Sequence, residues 1–367
     1  MSRLRIAALA VVVVACKDPD RASRPPPPVP PAVVGAAAAP AVDAAVDAPP
    51  GPVDWSFLTG DVLAVVTVDG HQRPARLEPA TGRWQPLGSG DDDLFPTGHR
   101  VRGAVLCIAT HGATEDDHME QLALVVGATV TRVGPAAPMV RNPTVAAAGP
   151  IVVESNHASY RDLFAVAPTG KVTRLTNDAA GNFEPAVSPD GKQVAFASSR
   201  DGNAELYAQP VTGGPARRLT EQGRDDWSPA WSPDGAILAF LSDRDRAARL
   251  YQMPAAGGPA SRLSPDGDAR TEDVSPRWAP TGATVGFVRR RGTASTVNVV
   301  DAATGAVRTL TPAGVDDVEY AWSPDGAYLA VVRAAGKAAP VVAFIRVADG
   351  ATVAAVPAEG ALVRWLP

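Results

Sequence analysis

The chain carries no Gly-x-Ser-x-Gly elbow, no Gly-x-Gly-x-x-Gly after a strand pattern and no Cys-x-x-Cys pair. Hydrolase, dinucleotide and dithiol redox readings thereby lose their usual support. Cysteine is scarce, with only Cys16 and Cys107 in 367 residues. Cys107 lies inside an apolar strand pattern, has nothing nearby that looks like a base, and reads as a free, buried thiol. A basic excess is missing too. Asp and Glu number 39 against 34 Lys and Arg, a formal charge of −5, which argues against a nucleic-acid partner and against a basic membrane-binding face. The apolar stretch at residues 6–15 is too short to cross a bilayer.

What is present is a repeat. Trp-Ser-Pro-Asp-Gly stands at Trp231 and again at Trp322, with Val-Ser-Pro-Asp-Gly at Val187 and Trp-Ala-Pro-Thr-Gly at Trp278 in register. The spacings are 44, 47 and 44 residues, the length of one four-stranded propeller blade. In the unit from Pro185, the runs Val194-Ala-Phe-Ala, Leu206-Tyr-Ala-Gln and Arg217-Arg-Leu-Thr are parted by Asp201-Gly202 and Gly213-Gly214. Asp-Gly and Gly-Gly supply the positive φ that tight hairpins need. Further units start near Trp55, Phe95 and Val145, so the chain is expected to be an all-β propeller of seven blades, with six or eight as alternatives. A half-unit, Leu362-Val-Arg-Trp365, falls in phase after the last full unit. It is expected to pair with the first blade and remove an exposed sheet edge. Ser264-Pro-Asp-Gly267 is out of phase and reads as a loop insertion that accounts for the longer spacing.

Taken together, Pro-x-Trp-Ser-Pro-Asp-Gly, an apolar run, Asp-Gly-Asn, Leu-Tyr, Gly-Gly and Arg-Leu-Thr resemble the WD40-like repeats of the TolB-type β-propellers. The resemblance is strongest over residues 142–356, and the first two units lack Ser-Pro-Asp-Gly. It implies a scaffold whose partner is another envelope protein or a peptide segment docking over the channel mouth. Some serine peptidases carry a similar propeller as a gate. Their catalytic domain would have to follow residue 356, and that reading is set aside.

The N-terminus has Arg3 and Arg5, then an apolar stretch ending in Val13-Val14-Ala15-Cys16. The length is that of a signal h-region, and small residues before a cysteine resemble the lipobox of bacterial lipoproteins. That resemblance implies that Cys16 is lipidated and becomes the mature N-terminus, and Lys17 in place of Asp favours the outer membrane. The other reading is a simple cleaved signal or a buried cysteine. Losing Arg3 and Arg5 takes the charge of −5 to about −7. Residues 17–52 are mostly Ala and Pro and cannot build a core. In polyproline II they would form a tether of roughly 100 Å at about 3.1 Å per residue. The expected division is a signal peptide at 1–15, a lipidated tether at 16–52 and a propeller at 53–367.

Residues just ahead of each innermost strand ring a propeller's channel mouth, and here they are acidic: Asp91, Asp92, Asp93, Glu184, Asp225, Asp226, Glu272, Asp273, Asp316, Asp317 and Glu319. Of these, Asp92, Glu184, Asp226, Asp273 and Asp317 are the expected ligand site. Converging carboxylates would attract a basic peptide or coordinate Ca²⁺ through oxygen. The plainer reading is solvated turn residues. His111 and His118 flank a hairpin loop with three carboxylates and form a second metal candidate, although the spacing fits no helical two-His motif. His71, His99 and His157 cannot be assembled into a site. Trp231, Trp278, Trp322 and Trp365 read as packing residues between blades.

The resulting expectation is a monomeric, periplasmic, lipid-anchored propeller that binds a protein partner without catalysis and without an obligate cofactor. The alternative is a propeller enzyme acting on polysaccharide, a metal-dependent lyase or a glycosidase, since a carboxylate pair at a set separation could be drawn from the acidic rim.

Overall fold

The computed structural model describes residues 53–367 except 113–116, 147–148, 158–160, 266–269, 313–315 and 336–337. The expected signal peptide, Cys16 and the tether lie outside the described residues. Among these residues the regular elements are all strands. They form five four-stranded sheets and one eight-stranded sheet. The eight-stranded sheet is two four-strand antiparallel meanders touching through a single parallel pair, Ser295 with Asp316. The architecture is that of a β-propeller.

Each meander has one strand facing the central axis. These inner strands are Asp93–Val101, Val140–Thr144, Asn182–Val187, Asp226–Trp231, Thr271–Trp278, Asp316–Trp322 and Val363–Leu366. The last of them closes the ring. It runs antiparallel to Asp61–Val68, with Asp61 opposite Leu366 and Ala64 opposite Val363, so the first sheet takes its inner strand from the far end of the chain and its edge is covered. The half-unit read from the sequence does this.

The repeated motifs are turn and strand chemistry. In Ser-Pro-Asp-Gly, the hydroxyls of Ser188, Ser232 and Ser323 accept the N–H of Gln193, Ile237 and Tyr328 at 2.9 to 3.0 Å. Asp190, Asp234 and Asp325 accept both that hydroxyl and the N–H two residues on. The glycine then turns with φ of 71°, 73° and 71° at Gly191, Gly235 and Gly326, a region costly for any side chain. In Arg-Leu-Thr, the Thr220 hydroxyl accepts Leu206 N–H at 2.9 Å and donates to the buried Glu205 at 2.6 Å. Thr176 does the same for Leu163 and Asp162.

Sheets pack face to face through residues of the middle strands. Phe196, Phe240 and Phe287 occupy one repeated position and are fully buried, each contributing about 1.5–3 kcal/mol. The tryptophans close the seams. The indole N–H of Trp231 reaches Ala186 O at 2.9 Å, that of Trp278 reaches Ala230 O at 3.0 Å, and that of Trp322 reaches Arg277 O at 3.2 Å. Each bond ties an inner strand to the one before it. Trp365 instead donates to Thr59 O at 2.5 Å.

Candidate functional site: the central channel

At the head of the inner strands, the acidic residues expected to form an open rim are paired. Arg244 Nη2 lies 2.8 Å from Asp226 Oδ2. Arg289 grips Asp273 with two bonds, at 2.7 and 3.0 Å. Arg333 Nε is 2.9 Å from Asp317 Oδ1. The fourth repeat has Asn182 here, bonded by Arg200 at 2.8 Å. Arg289 and Arg333 come from the neighbouring strand of the same sheet, and Arg244 and Arg200 from the turn that follows that strand. Asp226, Asp273 and Asp317 are buried. Burial raises the carboxyls of Asp226 and Asp317 above the ordinary range, partly offset by serine or threonine bonds and the paired arginine. Asp92 is bonded by Arg132 Nε at 3.1 Å. The expected negative rim is therefore revised: these carboxylates are neutralised in place, and a field cannot be focused by charges already cancelled. No three His, Cys, Asp or Glu side chains gather as a metal site among the described residues.

Glu184 is placed differently, deeper in the channel. Asn142, Glu184, Ser228 and Ser275 each precede a proline and adopt φ of 48° to 55°, and Gly98 has φ of 91° in the matching strand. Each lies within a register shift of its strand pair. A bulge re-aims a side chain, and this one carries the backbone into the left-handed region at a cost that the surrounding sheet must offset. Glu319 occupies the same phase, three residues before Trp322, while Arg364 stands one residue before Trp365, as Arg277 does before Trp278.

These residues form a hydrogen-bonded belt. Glu184 Oε2 accepts Ser228 N–H at 2.7 Å and its hydroxyl at 2.9 Å. Behind them the buried Glu154 accepts Asn142 Nδ2 at 3.1 Å, Glu184 N–H at 3.0 Å and Arg161 Nε at 2.7 Å. On the other side, Glu319 Oε1 receives Arg277 Nη2 at 2.5 Å and Arg364 Nη1 at 2.9 Å. Arg277 also donates to Tyr320 O, and the Tyr320 hydroxyl donates to Ser275 O at 2.8 Å.

The belt shifts its own ionisations. Burial pushes Glu184 up to about 7; the Ser228 bonds oppose this and the charge of Glu154 adds to it. Burial raises Glu319, but Arg277 and Arg364 together outweigh it and hold the carboxyl below its usual value. His99 is pulled down to about 4 by burial, then by the charges of Arg364 and Arg277. At neutral pH its imidazole is uncharged.

The second metal candidate is not assembled. His118 Nε2 lies 3.1 Å from Glu120, which also accepts Val140 N–H at 2.7 Å and pairs with Arg141. His111 Nδ1 is buried without a partner, and the loop tip between them, 113–116, lies outside the described residues. Cys107 is free and buried, and burial pushes its thiol up.

Arg277 and Arg364 were missed in the sequence, as was the role of His99. The available signal was phase: Arg277 and Arg364 each stand one residue before a repeat tryptophan, Trp278 and Trp365, while Ser228, Ser275 and Glu319 each stand three residues before one, so the positions that face the channel can be read across repeats.

Short four-stranded sheets around a polar, arginine-lined channel define a β-propeller. Residues 161–363 match the model of the TolB beta propeller domain, and the chain belongs to that family. The structure is similar to TolB from Acinetobacter baumannii, with a TM-score of 0.53 at 19% identity over 83% of this chain and 81% of that one. It is also similar to a puromycin hydrolase, with a TM-score of 0.62 at 19% identity over 81% of this chain and 52% of that one. An oligogalacturonate lyase from Vibrio parahaemolyticus gives 0.57 at 10% identity, over 82% and 86%. Such low identities establish the fold alone. A stretch of 48 residues is 44% identical to Tricorn protease homolog 1 of Streptomyces coelicolor, covering 13% of this chain and 4% of that protein. The chain thus spans a small part of that relative's length.

Proposed function

We propose that this chain is a seven-bladed, lipid-anchored scaffold of the cell envelope, which captures a protein or peptide segment at its channel without catalysing a reaction. The blade count is supported by dividing the eight-stranded sheet at its single parallel pair, which leaves one inner strand per meander. The observation that carries the function is the belt itself. Polar groups from every inner strand but that of Gly98 and His99 are bonded to a neighbour, while Arg277 keeps a third of its side chain exposed. A wall of that kind offers preorganised contacts rather than a free nucleophile or base. Membership of the TolB beta propeller domain family supports the same reading. Lipidation at Cys16 with outer-membrane sorting, and a tether over residues 17–52, would hold the propeller on the periplasmic side.

The test is capture from solubilised envelope with the full-length protein, in low and moderate salt. Recovery of one defined protein, weakened as salt rises, is the expected result. No capture at either salt overturns the scaffold, and turnover of uronic-acid oligomers overturns the absence of catalysis.

A further inference from the structure

We infer that the channel quarter built by Arg277, Arg364 and His99 is a carboxylate-binding site, so that the segment the scaffold captures is acidic. This rests on the scaffold reading and reverses the sign of ligand that the acidic strand heads suggest. Four successive inner strands contribute: Arg277 from Thr271–Trp278, Glu319 from Asp316–Trp322, Arg364 from Val363–Leu366 and His99 from Asp93–Val101.

The charge count decides the sign. Two guanidiniums share one carboxylate, and both bonds end on the same oxygen, Glu319 Oε1. One positive charge is left uncompensated. His99 adds no charge at neutral pH and cancels none. Across the channel, Glu154 is paired with Arg161, and Glu184 carries a proton below about pH 7, so that side does not supply the missing anion. Outside the belt, Arg100 is closed by Asp61. The arginines are reachable as well as charged. Their side chains keep 33% and 15% of their surface exposed, against 4% for Glu319. Room for Arg364 is provided by Gly98, where a Cβ would lie 2.8 Å from Arg364 Cδ. Paired guanidiniums present fixed, forked donors that match a carboxylate.

The experiment measures binding of fluorescent tetraglutamate and tetralysine peptides to the full-length protein at pH 6 and low salt, where Glu184 is protonated and His99 neutral. The expected result is saturable binding of tetraglutamate and none of tetralysine. Arg364→Gln should weaken it by about tenfold or more, and Glu319→Gln, which removes the internal competitor, should tighten it. Acetate should move the His99 imidazole resonance in wild type and not in Arg364→Gln. Where Arg364→Gln fails to fold, Arg277→Gln and Glu319→Gln carry the test. Absence of saturable tetraglutamate binding, preference for tetralysine, or an affinity unmoved by these variants overturns the inference. So does binding of oligogalacturonate through the same arginines with tetraglutamate excluded. Envelope capture that survives Arg364→Gln sinks the carboxylate site and leaves the scaffold standing. Tetraglutamate binding with no envelope capture does the reverse.

Discussion

Glu184 accepts both the backbone N–H and the hydroxyl of Ser228, a residue 44 positions later and one inner strand further round the ring. The interval equals one repeat, so the bond joins equivalent positions of neighbouring blades. It therefore couples the integrity of the ring to the ionisation of one buried carboxyl.

Stability should depend on pH through Glu184 and His99 with opposite signs. Glu184 is raised from 4.5 to about 7, so between those values the folded chain holds a proton that the unfolded chain has released. Its contribution is present below about pH 4.5 and is lost as pH rises through 7. His99 is lowered from 6.5 to about 4; its contribution is present above pH 6.5 and lost as pH falls through 4. Wild type should lose on the order of 1–3 kcal/mol relative to Glu184→Gln as pH rises from 4.5 to 7, and a similar amount relative to His99→Gln as pH falls from 6.5 to 4. Urea melts across pH 4 to 8 check both slopes; parallel curves for wild type and variants would refute them.

The Asp273–Arg289 pair should behave as a buried ion pair. Arg289→Met leaves an uncompensated carboxylate in the sheet and should cost about 3–5 kcal/mol. Replacing both partners by apolar residues should cost less than that single change. A double-mutant cycle by denaturant unfolding measures the difference, and additive costs would show that the two side chains are uncoupled.

Thr220 holds strand and turn together through one oxygen. Thr220→Val keeps the shape but strands Leu206 N–H and Glu205 Oε2, while Glu205 Oε1 keeps its Arg218 bond, and should cost about 1–3 kcal/mol. Thr220→Ser retains both bonds and should cost less than about 1 kcal/mol. Equal losses, read from thermal unfolding, would mean that the methyl group rather than the hydroxyl matters.

Much of this molecule is legible in its sequence, and the reason is locality. Ser-Pro-Asp-Gly folds through bonds spanning two to five residues, and the closing threonine reaches back 14 to 15. Such bonds recur wherever the residues recur, so the period appears in the chain as plainly as in the fold. The phase of the tryptophans likewise marks the seams. The rim was misread for the complementary reason. Asp226 and Arg244 stand 18 residues apart, and nothing local says that the arginine folds back over the carboxylate. Strand heads rich in Asp look open until the neighbouring strand is laid beside them.

By itself, then, the sequence determined the all-β repeat, its turn chemistry and the strand that closes the ring, because alternation and turn residues act over a few bonds. Only the tertiary structure decided which charges meet in the channel. Ring closure brings Arg277, Glu319, Arg364 and His99 together from four strands, and charges that meet only in three dimensions cancel or survive according to geometry rather than count.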